Sequence, residues 1–139
     1  MSKIMILSFF IVTIMWIVQI SSKKDGPLYP YCQEPLRLLK KSNDTLENNP
    51  FPDGRKECEK YIDEAMKDLN TAKEDVDKMK LSSESKKKYD NDIDKCTAIM
   101  KKCIVCLKTK NFDGNVFGRC KRNITEAYDR VYDLQFEQY

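Results

Sequence analysis

Residues 58–79 read CEKYIDEAMKDLNTAKEDVDKM, and their spacing decides the fold. Cys58, Ile62, Ala65, Leu69, Ala72, Val76 and Met79 recur at alternating steps of four and three, the period that places side chains on one face of an α-helix. Asp63, Glu64, Asp68, Asp75 and Asp77 lie mostly off that stripe, so the remaining surface of the helix is charged. A helix of this kind is marginal alone in water, and other elements must cover its apolar face.

The same period recurs on both sides. Upstream, Cys32, Leu36, Leu39, Asn43 and Leu46 form a stripe whose helix is expected to open at Pro35 and to end at Pro50 and Pro52. Downstream, Leu81-Ser82-Ser83 breaks the pattern, and either serine can cap the helix that follows. The third stripe is Tyr89, Ile93, Cys96, Met100, Cys103 and Leu107. A turn at residues 111–114 separates it from the fourth, Phe117, Cys120, Ile124, Ala127, Val131 and Leu134. Breakers this frequent exclude one long coiled coil and predict an all-α, disulfide-stapled, up-and-down four-helix bundle over residues 32–139. Residues 23–31, with two prolines and a glycine, read as an extended N-terminal arm.

Residues 1–22 read differently. Lys3 supplies a positive start, Ile4 to Ile20 is almost wholly apolar, and Ser21 and Ser22 precede a charged run. That order predicts a secretory signal peptide, since the apolar run is shorter than the roughly 20 residues a membrane span needs. The expected product is secreted and extracellular, with no membrane span after signal removal. All six cysteines (Cys32, Cys58, Cys96, Cys103, Cys106, Cys120) follow this segment, which in a small exported chain predicts three disulfides worth about 2–4 kcal/mol each. Helix rise in an up-down bundle sets Cys32 level with Cys96. It places Cys58, Cys106 and Cys120 at one end with Cys103 a turn below. The expected pairs are Cys32–Cys96, with Cys58 joined to Cys103 or Cys106 and Cys120 taking the other. Asn43-Asp44-Thr45 and Asn123-Ile124-Thr125 are expected N-glycosylation acceptors.

The chain has no histidine, which removes the commonest general base, the Ser-His-Asp and Cys-His arrangements and any histidine-ligated metal. Cys103-Ile104-Val105-Cys106 lacks the strand–helix setting of a redox motif and a second pair for zinc, and no glycine-rich phosphate loop is present. No catalytic residues, metal or cofactor are expected. Charge, however, is unevenly placed. Lys101, Lys102, Lys108, Lys110, Arg119, Lys121 and Arg122 face a single acid, Asp113, across residues 101–122, whereas acids dominate residues 126–137. Dipole complementation explains Lys101, Lys102 and Lys108 in the last turns of the third helix. Arg119, Lys121 and Arg122, read as the opening turns of the fourth, stand against it. These cations, with Phe112 as an exposed anchor, are expected to dock on an anionic surface or an extracellular or host macromolecule. A different function class is a carrier for a small apolar ligand inside the bundle, around Met79, Tyr89, Met100 and the core alanines.

The six-cysteine helical pattern resembles three families. Insect odorant-binding proteins are similar in size and in the gaps of 25 residues between Cys32 and Cys58 and 37 between Cys58 and Cys96, although Cys58 here has no partner four positions away. Saposin-like proteins share helical six-cysteine content, but their opening paired cysteines are missing. The arrangement Cys58…Tyr89…Cys96 resembles the cysteine–tyrosine–cysteine motifs of aphid bicycle proteins, among the secreted effector and salivary proteins of sap- or blood-feeding insects. That resemblance implies export into a host and action by binding a host component.

Overall fold

The computed structural model describes residues 24–139, so the expected signal peptide lies outside the described residues. Those residues form an all-helical bundle of four elements: α1 (Tyr29–Asn48), α2 (Pro52–Val76), α3 (Ser83–Leu107) and α4 (Gly114–Leu134). Each helix packs on two neighbours in a ring, α1 on α2, α2 on α3, α3 on α4 and α4 on α1. The turns at residues 49–51 and 108–113 therefore sit at one end, and the turn at residues 77–82 and the two ends of the described residues lie at the other.

The stripes form the core. Cys58, Ile62, Ala65, Leu69, Ala72 and Val76 of α2 are fully buried, as are Tyr89, Ile93, Met100 and Cys103 of α3 and Cys120, Ala127 and Val131 of α4. Burying each large aliphatic side chain contributes about 1.5–3 kcal/mol. Capping sets the starts. Ser82 Oγ accepts from the Ser85 amide at 3.1 Å, and Asp113 Oδ1 accepts from the Val116 amide at 2.8 Å, so α3 and α4 each begin on a side-chain acceptor. Pro52 opens α2 as well as closing the turn before it.

Three details of the first helix differ from the sequence reading. The arm is shorter than residues 23–31, because α1 begins at Tyr29 with Pro30 in its first turn, and Pro35 lies inside the helix. Leu28, just before it, is fully buried and anchors the segment. The stripe position expected at Asn43 is held by Ser42, which is fully buried and donates to the Leu39 carbonyl at 2.7 Å, while Asn43 is half-buried. A serine can return its hydroxyl proton to the preceding turn and so enter a core that a carboxamide would burden.

One disulfide, Cys106–Cys120, is closed among the described residues, with Cα atoms 5.6 Å apart. It ties α3 to α4 around the second turn, and a loop of that size contributes about 3 kcal/mol. The expected trio is otherwise corrected. Cys32, Cys58, Cys96 and Cys103 are buried thiols. Helices α1 and α3 stand diagonally, with no Cα–Cα approach within 8 Å, which is beyond the span of a Cys32–Cys96 bridge. Burial pushes each of the four thiols up to about 12; Cys96 adds to the effect at Cys32, and Cys58 at Cys103.

The termini close the opposite end. Gly26 donates its amide to the Gln135 carbonyl at 2.9 Å, and a Cβ there would stand 2.1 Å from the Glu137 carbonyl oxygen, so only glycine permits the crossing. Tyr89, fully buried on α3, donates its hydroxyl to the Glu137 carbonyl at 3.2 Å and accepts from the Tyr139 amide at 2.9 Å. The Tyr139 ring meets it edge-on at 4.9 Å between centroids, and its hydroxyl donates to Asp92. Burial, then the Asp92 carboxylate, holds the Tyr139 phenol above its ordinary value.

These thiols and this phenol keep their protons more tightly folded than unfolded, so unfolding releases protons once pH exceeds the ordinary thiol value of 9.0. Stability is therefore fully present below about pH 9 and is lost as pH rises toward 12. Thermal melts followed by circular dichroism should show a midpoint that is steady at neutral pH and falls progressively above pH 9. A midpoint unchanged to pH 11 would contradict the buried thiol state.

Candidate partner-binding end

The first turn is a rigid aromatic mount. Asn49 donates its amide to the Thr45 carbonyl at 2.9 Å and accepts from the Phe51 amide on Oδ1 at 3.2 Å. Gly54 lets the start of α2 pass beneath: a Cβ there would lie 1.8 Å from the Asn49 carbonyl oxygen. Phe51 sits between Pro50 and Pro52, whose rings restrict the backbone on both sides, and its side chain is 71% exposed. Its backbone has little conformational freedom left to lose on contact.

The second turn faces the first. Phe112, half-buried, lies under the Arg55 guanidinium, whose carbon is 4.4 Å from the ring centroid. The Arg55 Nε is occluded without a hydrogen-bond partner, consistent with a head group laid flat on the ring. Together Pro50, Phe51, Pro52, Arg55, Phe112 and Phe117 line an open, largely apolar cleft of about 360 Å³, which Asp113 and Gly114 complete.

The structure brings the sequence-derived cations to this end but changes their meaning. Lys108 pairs with Glu59 of α2 at 3.1 Å, and Lys121 with Glu47 of α1 at 2.8 Å. Lys101, Lys102, Lys110, Arg119 and Arg122 are exposed, and no ion pair within 4.0 Å engages them among the described residues. The dipole argument is corrected. With α4 starting at Gly114, Arg119, Lys121 and Arg122 lie beyond its first turn, where the terminal field has faded. Likewise Lys101 and Lys102 precede the last turn of α3, and Lys108 is its C-cap. Val105, between them on α3, is 71% exposed.

Three participants escaped the sequence reading: Phe51, Arg55 and Val105. Only the first left a visible signal, an aromatic residue between two prolines at a break where a polar turn is usual.

The other sequence-derived sites fall elsewhere. Asn43 and Asn123 are half-buried within α1 and α4 rather than in loops. The Asn43 Oδ1 is buried without a partner at an α1–α4 cleft of about 290 Å³, lined also by Leu39, Lys40, Ile124, Thr125 and Tyr128. Of the residues weighed for an apolar carrier, Tyr89 and Met100 are fully buried in the packed core, and Met79 covers it from beyond the end of α2. Ala65, Ala72 and Ala127 are fully buried too, small residues that suit close helix approach.

No family model, no curated protein and no solved structure matches this chain. Among the described residues no group of three or more Cys, Asp or Glu side chains is placed to hold a metal ion, and no helix is long and apolar enough to cross a membrane.

Each ion pair at this end has one well-exposed partner, Lys108 at 64% and Glu47 at 62%, so each is worth under about 1 kcal/mol. Lys108→Ala and Lys121→Ala should each shift the urea midpoint by less than that energy corresponds to. A loss of several kcal/mol would make these lysines structural props instead of surface groups.

Proposed function

We propose that this chain is an exported, non-enzymatic binding protein of effector or salivary type. It docks on an anionic macromolecular partner through the end built from residues 50–55 and 101–122. One observation carries the reading. Of the four large hydrophobic side chains left exposed among the described residues, the two without a polar group, Phe51 and Val105, stand at the same end as five cations that make no ion pair among those residues. Exposed apolar area costs free energy in water, and clustered like charge repels itself. Their coincidence at one end is relieved together when an anionic surface with apolar contacts covers them.

The uneven signs along α4 fit the same reading. Arg119, Lys121 and Arg122 are followed by Glu126, Asp129 and Asp133, so α4 carries mostly opposite signs toward its two ends. A field of this kind orients an approaching partner and speeds encounter more than it adds to final affinity. Export rests on the leader-like segment at residues 1–22 and the cysteine usage, and addition of glycans at Asn43 and Asn123 belongs to the same expectation.

Replacing Lys110, Arg119 and Arg122 together by glutamate reverses exposed charge and breaks no internal ion pair. The triple variant should keep its helical spectrum and melting temperature but elute from immobilised heparin at a salt concentration far below that of the wild type. Equal retention of the two proteins would overturn the docking role of this end.

A further inference from the structure

We infer that the cleft between the two turns is an anchor pocket for an apolar side chain flanked by a carboxylate on an acidic polypeptide partner. This inference rests on the docking reading above and gives it a specific ligand chemistry.

The walls define the first half of that chemistry. Phe51, Phe112, Phe117, Pro50 and Pro52 present ring and methylene surface around about 360 Å³, a volume in the range of small-ligand pockets and sufficient for one large side chain. Fixed aromatic walls of this kind are where binding energy concentrates in protein interfaces. Three features hold them still: the prolines around Phe51, the Asn49 bonds beneath it, and the Cys106–Cys120 bridge that closes the Phe112 turn.

Arg55 defines the second half. Its guanidinium is planar, permanently charged and stacked on Phe112, and its Nε is occluded. Donation toward the cleft therefore falls to the terminal nitrogens, whose geometry matches the two oxygens of a carboxylate. Lys110 and Arg119 extend the positive field past the cleft, which suits further acidic residues on the same partner.

A lipid headgroup layer would be drawn by the same cations, but the pattern of acids disfavours it. Glu47 and Glu59 stand among the lysines, Asp53 lies in the first turn of α2, and Asp113 borders the cleft itself while capping α4. A uniformly anionic surface would meet all four. A polypeptide can place its carboxylates at Arg55, Lys110 and Arg119 and leave the others to water.

The test uses the mature protein immobilised as bait for a random twelve-residue peptide library on phage, followed by calorimetry with the recovered synthetic peptides. Two variants probe the pocket: Phe51→Ser, at a largely exposed position, and Arg55→Gln, which keeps a polar side chain on the helix and removes the charge and the paired terminal donors. The account expects peptides with a bulky apolar residue next to Asp or Glu, binding weakened at least tenfold in both variants, and heparin retention of Phe51→Ser equal to wild type. Recovered peptides without acidic residues, or affinities indifferent to both variants, would overturn the pocket. Co-sedimentation with phosphatidylserine vesicles that depends on Phe51, with no acidic peptide recovered, would overturn it in favour of a lipid surface. Loss of the pocket alone leaves the heparin behaviour of the charge-reversal triple variant intact, so the two readings fail separately.

Discussion

Four apolar stripes, none able to stay out of water by itself, share one core, and every other feature of this molecule depends on that. The stripe of α2 runs uninterrupted from Cys58 to Val76 and is fully buried along its length, which requires a neighbour on each side. Ring-wise packing follows, with α1 and α3 flanking α2 and α4 closing the circle. Because the connections are short, the helices alternate in direction, and the two turns formed by residues 49–51 and 108–113 are forced to the same end. The pairing of Phe51 with Phe112 across a cleft is thus a consequence of topology before it is one of local chemistry.

The two ends solve opposite problems. At the terminal end, Tyr89 bonds two backbone groups of the last residues, Gly26 bonds the chain just past α4, and Tyr139 packs on Tyr89. The last residues are held there by hydrogen bonds within the protein, although Asp90 Oδ1 nearby is buried without a partner. At the turn end Phe51 and Val105 stand in solvent, and five cations have no ion-pair partner among the described residues. Under the function proposed above, the turn end is the surface of contact.

Much of the fold was legible because helical periodicity is local. Each stripe except the first predicted its buried face nearly residue by residue, and the level reached by Cys106 and Cys120 in an up-down bundle allowed their bridge as one of two alternatives. What escaped depends on contacts between distant parts of the chain. Leu28 is buried through its place beside the closing tail, Ser42 displaces Asn43 by a hydrogen bond to its own helix, and the Cys32–Cys96 pairing fails on the diagonal placement of α1 and α3, which axial level alone does not register. At the candidate site the cations were visible as a run, yet the partners that neutralise Lys108 and Lys121 come from α2 and α1. Nothing in the sequence distinguishes Arg55, whose place at the cleft depends on Phe112, brought beneath it by the turn between α3 and α4.

The central claim is that the start of α2 and the turn between α3 and α4 meet at one end of a ring-packed bundle. Nuclear Overhauser contacts between the Arg55 methylenes and the Phe112 ring measure this most directly, since the guanidinium carbon lies 4.4 Å from the ring centroid. The structure requires those cross-peaks, together with Tyr89 to Tyr139 contacts at the far end. Cross-peaks joining the Phe112 ring to Tyr89 or Tyr139 instead would mean a different helix order, and this account of the molecule would be wrong.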